Sequence, residues 1–131
     1  MTSIAILVTG APYSSSSSRT ALEFARQVVA SGHRIELLFF YHEAVTAGST
    51  LGVTAQDEHH LPSAWQSFIR ESNTEAVICI ASGLKRGIIN AAEAHRFSRP
   101  AHNLDGSIRL GGLGEWITAV RNADKQIVFG A

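Results

Sequence analysis

Residues 3–8 carry Ile4, Ala5, Ile6, Leu7 and Val8 without a polar break, and Thr9-Gly10-Ala11-Pro12 closes the run. A short continuous apolar run ended by turn residues predicts a strand buried on both faces. The pattern returns at 35–41 (Ile35, Leu37, Leu38, Phe39, Phe40, Tyr41) and at 76–81, Ala-Val-Ile-Cys-Ile-Ala, which Ser82-Gly83 breaks. Residues 107–110 predict a short fourth strand and 125–129 the last. Between these runs the period lengthens. Ala21, Phe24, Ala25, Val28 and Val29 stand at i, i+3, i+4, i+7 and i+8, one face of a helix. That helix opens near Ser18 or Arg19 and stops at Gly32.

A second stripe, Leu61, Ala64, Trp65, Phe68 and Ile69, has Pro62 in its first turn, where proline is tolerated. Asn90 with Glu93 resembles a capping box and predicts a short helix to about Phe97. Gly111, Gly112 and Gly114 lead into a helix with Leu113, Trp116, Ile117 and Val120 on one face. Residues 42–60 are irregular, either a long functional loop or a loop with a short helix around 43–47. Strands apolar on both faces, alternating with amphipathic helices, predict a three-layer α/β/α sandwich. Its sheet is mostly parallel with about five strands, an estimate from the usual βαβ spacing, and 1–131 form one domain. In such sheets ligands and chemistry gather at the carboxyl ends of the strands.

Composition narrows the classes. With 131 residues, 45% hydrophobic and 17% charged, the chain has enough apolar surface to offset its conformational entropy. Eleven basic residues balance eleven acidic ones, which argues against direct nucleic-acid binding and leaves association with a partner or a second copy open. No run reaches the roughly 20 apolar residues of a membrane helix. The first apolar run is too short for a signal-peptide core and no Lys or Arg precedes it, so the expected location is the cytoplasm, away from membranes.

The single cysteine, Cys79, excludes an intramolecular disulfide and a Cys-rich zinc site. It lies near the carboxyl end of the third strand, ahead of Ser82, Gly83, Lys85 and Arg86. A nearby cation, or the N–H groups of a helix start, favours the thiolate, the form that attacks sulfur. A free cysteine in a strand is equally a small buried hydrophobe. The residues alone leave both readings open. The Gly111-Gly112-Leu113-Gly114 loop fits neither common phosphate-binding pattern and reads as a tight turn or subunit contact. The serine run 14–18 reads as a mobile loop whose hydroxyls could meet phosphate. Asp57, Glu58, His59 and His60 are metal-ligand types, but their adjacency lacks the i, i+4 spacing of a helical site, and no metal is assigned. His42, just after a strand, is an acid or base or simply structural. No Gly-x-Ser-x-Gly elbow occurs.

Taken in order, several segments resemble the TusD/DsrE family of sulfur-relay proteins over nearly the whole chain. They are Val8-Thr9-Gly10-Ala11-Pro12-Tyr13, Phe39-Phe40-Tyr41, Asp57-Glu58 ahead of Ala64-Trp65-Gln66, the run from Cys79 through Ser82-Gly83-Leu84-Lys85-Arg86 to Gly87, Asn103-Leu104, and Leu110-Gly111-Gly112-Leu113-Gly114. The cysteine segment with its two basic residues is the most specific. The five-serine loop and His59-His60 depart from the family's pattern.

The resemblance implies a DsrE-like fold and a sulfurtransferase whose Cys79 carries a persulfide, with Ser82, Gly83, Lys85 and Arg86 in support. It implies assembly with TusB-like and TusC-like subunits in a heterohexamer, a TusA-like donor and a TusE-like acceptor. The sulfur then travels towards 2-thiouridine at the tRNA wobble position. DsrE-like relatives work instead in sulfur oxidation with DsrC, and some sibling subunits without the cysteine are assembly partners only. Thiol exchange of this kind needs no metal or organic cofactor.

Overall fold

The computed structural model describes residues 1–130. In chain order the elements are β1 (Ser3–Val8), α1 (Ser17–Ala30), β2 (Arg34–Phe40), a 3-10 helix (His42–Gly48) and α2 (Leu61–Ser72). Then follow β3 (Ala76–Cys79), α3 (Ile80–Lys85), α4 (Ala91–Arg96), β4 (Arg109–Gly111), α5 (Leu113–Asn122) and β5 (Lys125–Phe129). The sheet has the order β4-β3-β2-β1-β5, and every pairing in it is parallel.

Parallel strands must be covered on both faces, because their crossovers lay helices on each side. Ile6, Val8, Leu38, Phe40 and Ile78 pack with α1 and α2 through Leu22, Ala25, Trp65 and Ile69. The alternate residues Ala5, Leu7, Leu37, Phe39, Val77 and Cys79 pack on the opposite face with Trp116 and Ala119 of α5. The strand periodicity of two therefore assigns Cys79 to the α5 face before any other contact is considered. On the α1/α2 side, the Trp65 indole N–H donates to Ser18 Oγ at 3.1 Å, and both residues are fully buried. Trp65 also meets Phe40 edge-on, with ring centroids 5.1 Å apart.

Three sequence expectations need correction. The third strand was expected to run through residue 81 and break at Ser82-Gly83; it ends at Cys79, and residues 80–85 are helical. Apolar runs do not separate a strand from a buried helix. Gly83 is there for close packing: a Cβ on it would stand 3.1 Å from Ile78 Cγ2 and 3.3 Å from the Ile88 carbonyl oxygen. The fourth strand is displaced to Arg109–Gly111, because the Asp105 carboxylate accepts the Ser107 N–H at 3.0 Å and holds that segment as a turn. In α5 the expected stripe splits. Trp116 packs inward with Ala119, whereas Leu113 and Ile117 are 43% and 58% exposed.

Ser18→Ala strands a buried indole N–H and is expected to cost about 1–3 kcal/mol, the usual penalty for an unsatisfied buried donor. Urea denaturation measures it; an unchanged midpoint would show that the Trp65 N–H has another partner.

Candidate active site

Cys79 is the last residue of β3 and the residue that opens α3, with no loop between them. It is 4% exposed, and its side chain makes no capping hydrogen bond. On one side, in β4, its register partner is Gly111. On the other, Phe40 pairs with Ile78, and Tyr41 continues β2 in extended conformation, so Tyr41 stands beside Cys79. Tyr41 packs against the same cluster as Cys79, Phe39 and Trp116. The thiol thus has an aromatic neighbour on one flank and bare backbone on the other.

The glycine is also constrained by what surrounds it. A Cβ at Gly111 would come within 2.8 Å of Val77 Cγ1 and would overlap the Glu115 carboxylate. Glu115 is held there by Arg109, whose Nη1 donates to it at 2.9 Å while its Nε donates to Glu75 at 2.7 Å. The Arg109 hydrogen bond holds the Glu115 carboxyl below its ordinary range. This pair fastens the first turn of α5 to β4 next to the cysteine.

The residues after Cys79 divide their tasks. Ser82 is buried, and its Oγ accepts the His42 backbone N–H at 3.3 Å. The Gly83 carbonyl accepts from Arg86 and Ile88, closing α3. The Arg86 guanidinium donates to Glu43 Oε1 at 2.9 Å and to the Ser82 carbonyl at 3.2 Å. The Arg86 hydrogen bond, aided by the charges of Arg86 and His42, holds the Glu43 carboxyl below its usual value against the opposing effect of desolvation. Arg86 is therefore committed to Glu43, and none of its hydrogen bonds among the described residues goes to Cys79. Lys85 is exposed and makes no ion pair among the described residues.

Sequence reasoning missed the shell around the thiol: Tyr41, Glu43 and the anchoring of His42. His42 has φ 50°, a left-handed conformation uncommon outside glycine though several-fold enriched in histidine. Its ring packs at a tilt against Tyr41, with centroids 4.0 Å apart. The signal available in the sequence was a histidine directly after a strand.

The other candidates lie elsewhere. His60 caps α2: Nδ1 accepts the Ser63 N–H at 3.2 Å, so Nε2–H donates to the Gly52 carbonyl at 3.0 Å. His59, Glu58, Arg19, Tyr13 and Ser14 line an open cleft of about 410 Å³ at the start of α1. Among the described residues no group of three or more His, Cys, Asp or Glu side chains is placed to hold a metal ion. No helix among them is long and apolar enough to cross a membrane.

A five-stranded parallel α/β sandwich with a lone thiol at a strand-to-helix junction defines the class. The model of the DsrE/DsrF-like family matches residues 2–129, and the chain belongs to that family. It is 42% identical over 119 residues to the "Sulfurtransferase TusD homolog" of Pseudomonas aeruginosa, covering 91% of each chain. It is 32% identical to the "Putative sulfurtransferase DsrE" of Allochromatium vinosum, covering 96% of this chain and 97% of that one. The crystal structure of the YchN protein from E. coli superimposes with a TM-score of 0.76 at 24% identity, covering 98% of this chain and all of that one; it shares the fold. Membership and the relatives' common name place the chain among the sulfurtransferases.

Arg86→Gln is expected to let the Glu43 carboxyl rise toward the ordinary glutamate value, followed by carbon-detected NMR titration. A depressed folded pKa stabilises the fold fully above the unfolded value, and that stabilisation is lost as pH falls through the folded one. An unchanged Glu43 titration would mean that the two side chains do not meet in solution.

Proposed function

We propose that this chain is a sulfur-relay subunit that carries one sulfur atom as a persulfide on Cys79. The observation that carries the reading is the position of the chain's sole thiol, at the carboxyl end of a parallel strand where α/β sheets place their chemistry. The Cys79 thiolate attacks the outer sulfur of a donor persulfide R–S–SH. A Cys79 S–S bond forms, the donor's S–S bond breaks, and the electron pair leaves on the donor's thiolate. An acceptor thiolate then takes the outer sulfur by the same exchange. No net oxidation occurs and no cofactor enters.

Carried over from the resemblance to the TusD/DsrE family, the proposal includes a TusA-like donor and a TusE-like acceptor, with the sulfur destined for 2-thiouridine at the tRNA wobble position in the cytoplasm. The 42% identity to a TusD homolog against 32% to a DsrE supports this branch over sulfur oxidation. Lys85, the last residue of α3, is the exposed cation offered to an acidic partner surface, while Ser82 and Gly83 fix α3 against His42 and Ile78. One observation favours a second reading. At 4% exposure the thiol resembles packing, as in a subunit that only supports assembly.

Intact-mass analysis separates the two. After incubation with a persulfidated donor the protein should gain one sulfur, lost again with dithiothreitol, and Cys79→Ser should gain none. An equal gain in Cys79→Ser, or none in the native chain, would defeat the carrier reading.

The assembly belongs to the same proposal. Leu113 and Ile117 on the outer side of α5, and Val128 beside Leu7, are exposed apolar side chains on the Cys79 face. Zero net charge opposes association only weakly. Co-expressed with TusB-like and TusC-like chains, the protein should elute as one heterohexamer by light scattering. A strict monomer that ignores both would remove the assembly and leave the cysteine chemistry standing.

A further inference from the structure

We propose that His42 is the proton donor to the sulfur that departs when Cys79 takes up a persulfide's outer sulfur. The proposal rests on the carrier reading of Cys79. Displacement at sulfur is in line, so the departing sulfur lies two S–S lengths, about 4 Å, beyond Cys79 Sγ. Cys79 closes β3 at the carboxyl edge of the sheet and is 4% exposed, so a donor has to reach it from that edge. His42 stands at the same edge, just after the neighbouring parallel strand β2. It is exposed, and its ring packs at a tilt on the Tyr41 ring, centroids 4.0 Å apart, where Tyr41 packs against the cluster that contains Cys79.

The backbone is arranged to keep the imidazole there. The left-handed φ of 50° turns the chain sharply at His42. The His42 N–H is fixed by Ser82 Oγ, a buried group on the helix that Cys79 itself opens. The His42 backbone and Cys79 are thereby referenced to one another through α3 and through the β2–β3 register. The neighbouring charges leave the role to His42. Arg86 is bound to Glu43 in an ion pair at 2.9 Å. As a proton donor, an imidazolium is a far stronger acid than a phenol or an ammonium group.

The step balances. Cys79–S⁻, R–S–SH and protonated His42 give Cys79–S–SH, R–SH and neutral His42. His42 then regains from water the proton that Cys79 released on ionising. The bond formed is Cys79 S–S, the bond broken is the donor's S–S, and the protonated product is the donor thiol.

The test compares sulfur uptake from a low-molecular-weight alkyl persulfide with alkylation of the same thiol by iodoacetamide. Iodide leaves without a proton, so alkylation reports access and ionisation of Cys79 but not acid catalysis. His42→Asn keeps a residue that tolerates the left-handed backbone. It should slow sulfur uptake about tenfold or more, the lower reach of general acid catalysis, with the final gain still one sulfur and alkylation unchanged. In His42→Gly, added imidazole should restore the rate. Uptake by His42→Asn at the native rate would overturn the proposal, as would equal slowing of uptake and alkylation, which would mark His42 as structural. Absence of any uptake in the native protein would remove the carrier reading itself, and this proposal with it.

Discussion

Cys79 ends β3 and Ile80 begins α3, so the chain turns from strand to helix with no residue in between. A thiol at such a junction is fixed twice. The strand's alternation commits it to the α5 face, beside Val77 and under Trp116. The helix that it opens carries the two groups, Ser82 and Arg86, that reach back to His42 and Glu43 at the end of β2. If β3 ran on for two residues, as an uninterrupted apolar run would allow, Ser82 would no longer meet the His42 N–H. The site is thus a consequence of where one strand stops, and Gly83 enforces the stop by letting α3 close against Ile78 and Ile88.

The fold was legible where burial is simple. β1 and β2 are apolar runs bounded by turn residues, and β5 ends on the shorter run Ile127-Val128-Phe129 before Gly130. α1 and α2 show the helical period, because each covers the sheet with one stripe. Legibility failed where packing and not pattern decides. Nothing local marks the boundary at Cys79, since Ile80 and Ala81 are as apolar as the strand before them. The α5 stripe failed for another reason. One helix alone covers that face, so only Trp116, Ala119 and their neighbours find a partner, and Leu113 and Ile117 are left outside by a single-layer cover. An apolar position in a sequence does not say whether the partner surface belongs to the same chain.

The candidate site was legible in one residue and not in its surroundings. Cys79 stands out because it is the sole thiol and because the motif around it resembles a family. Tyr41, His42 and Gly111 reach it only through strand register, from elements about 40 and 30 residues away in sequence, a span no local pattern covers. Arg86 is the opposite case. Proximity in sequence offered it as a cation for the thiol or for a partner, and in the folded chain its guanidinium pairs with Glu43. His60, a metal-ligand type in a suggestive cluster, is used to cap a helix and hold Gly52.

Burial of the thiol bears directly on the proposed transfer of sulfur through it, because its two flanks differ. A persulfide is readily reduced by other thiols, so a carrier gains from keeping its sulfur out of solvent. On the Tyr41 side two aromatic rings pack together at a tilt. The Gly111 side has no side chain, and the α5 turn above it is fastened by the Arg109–Glu115 pair. The two flanks come from β2 and from β4 with α5, elements that only the sheet register brings to the same sulfur, so the shelter of the thiol is a property of the whole carboxyl edge and not of the segment that carries the cysteine.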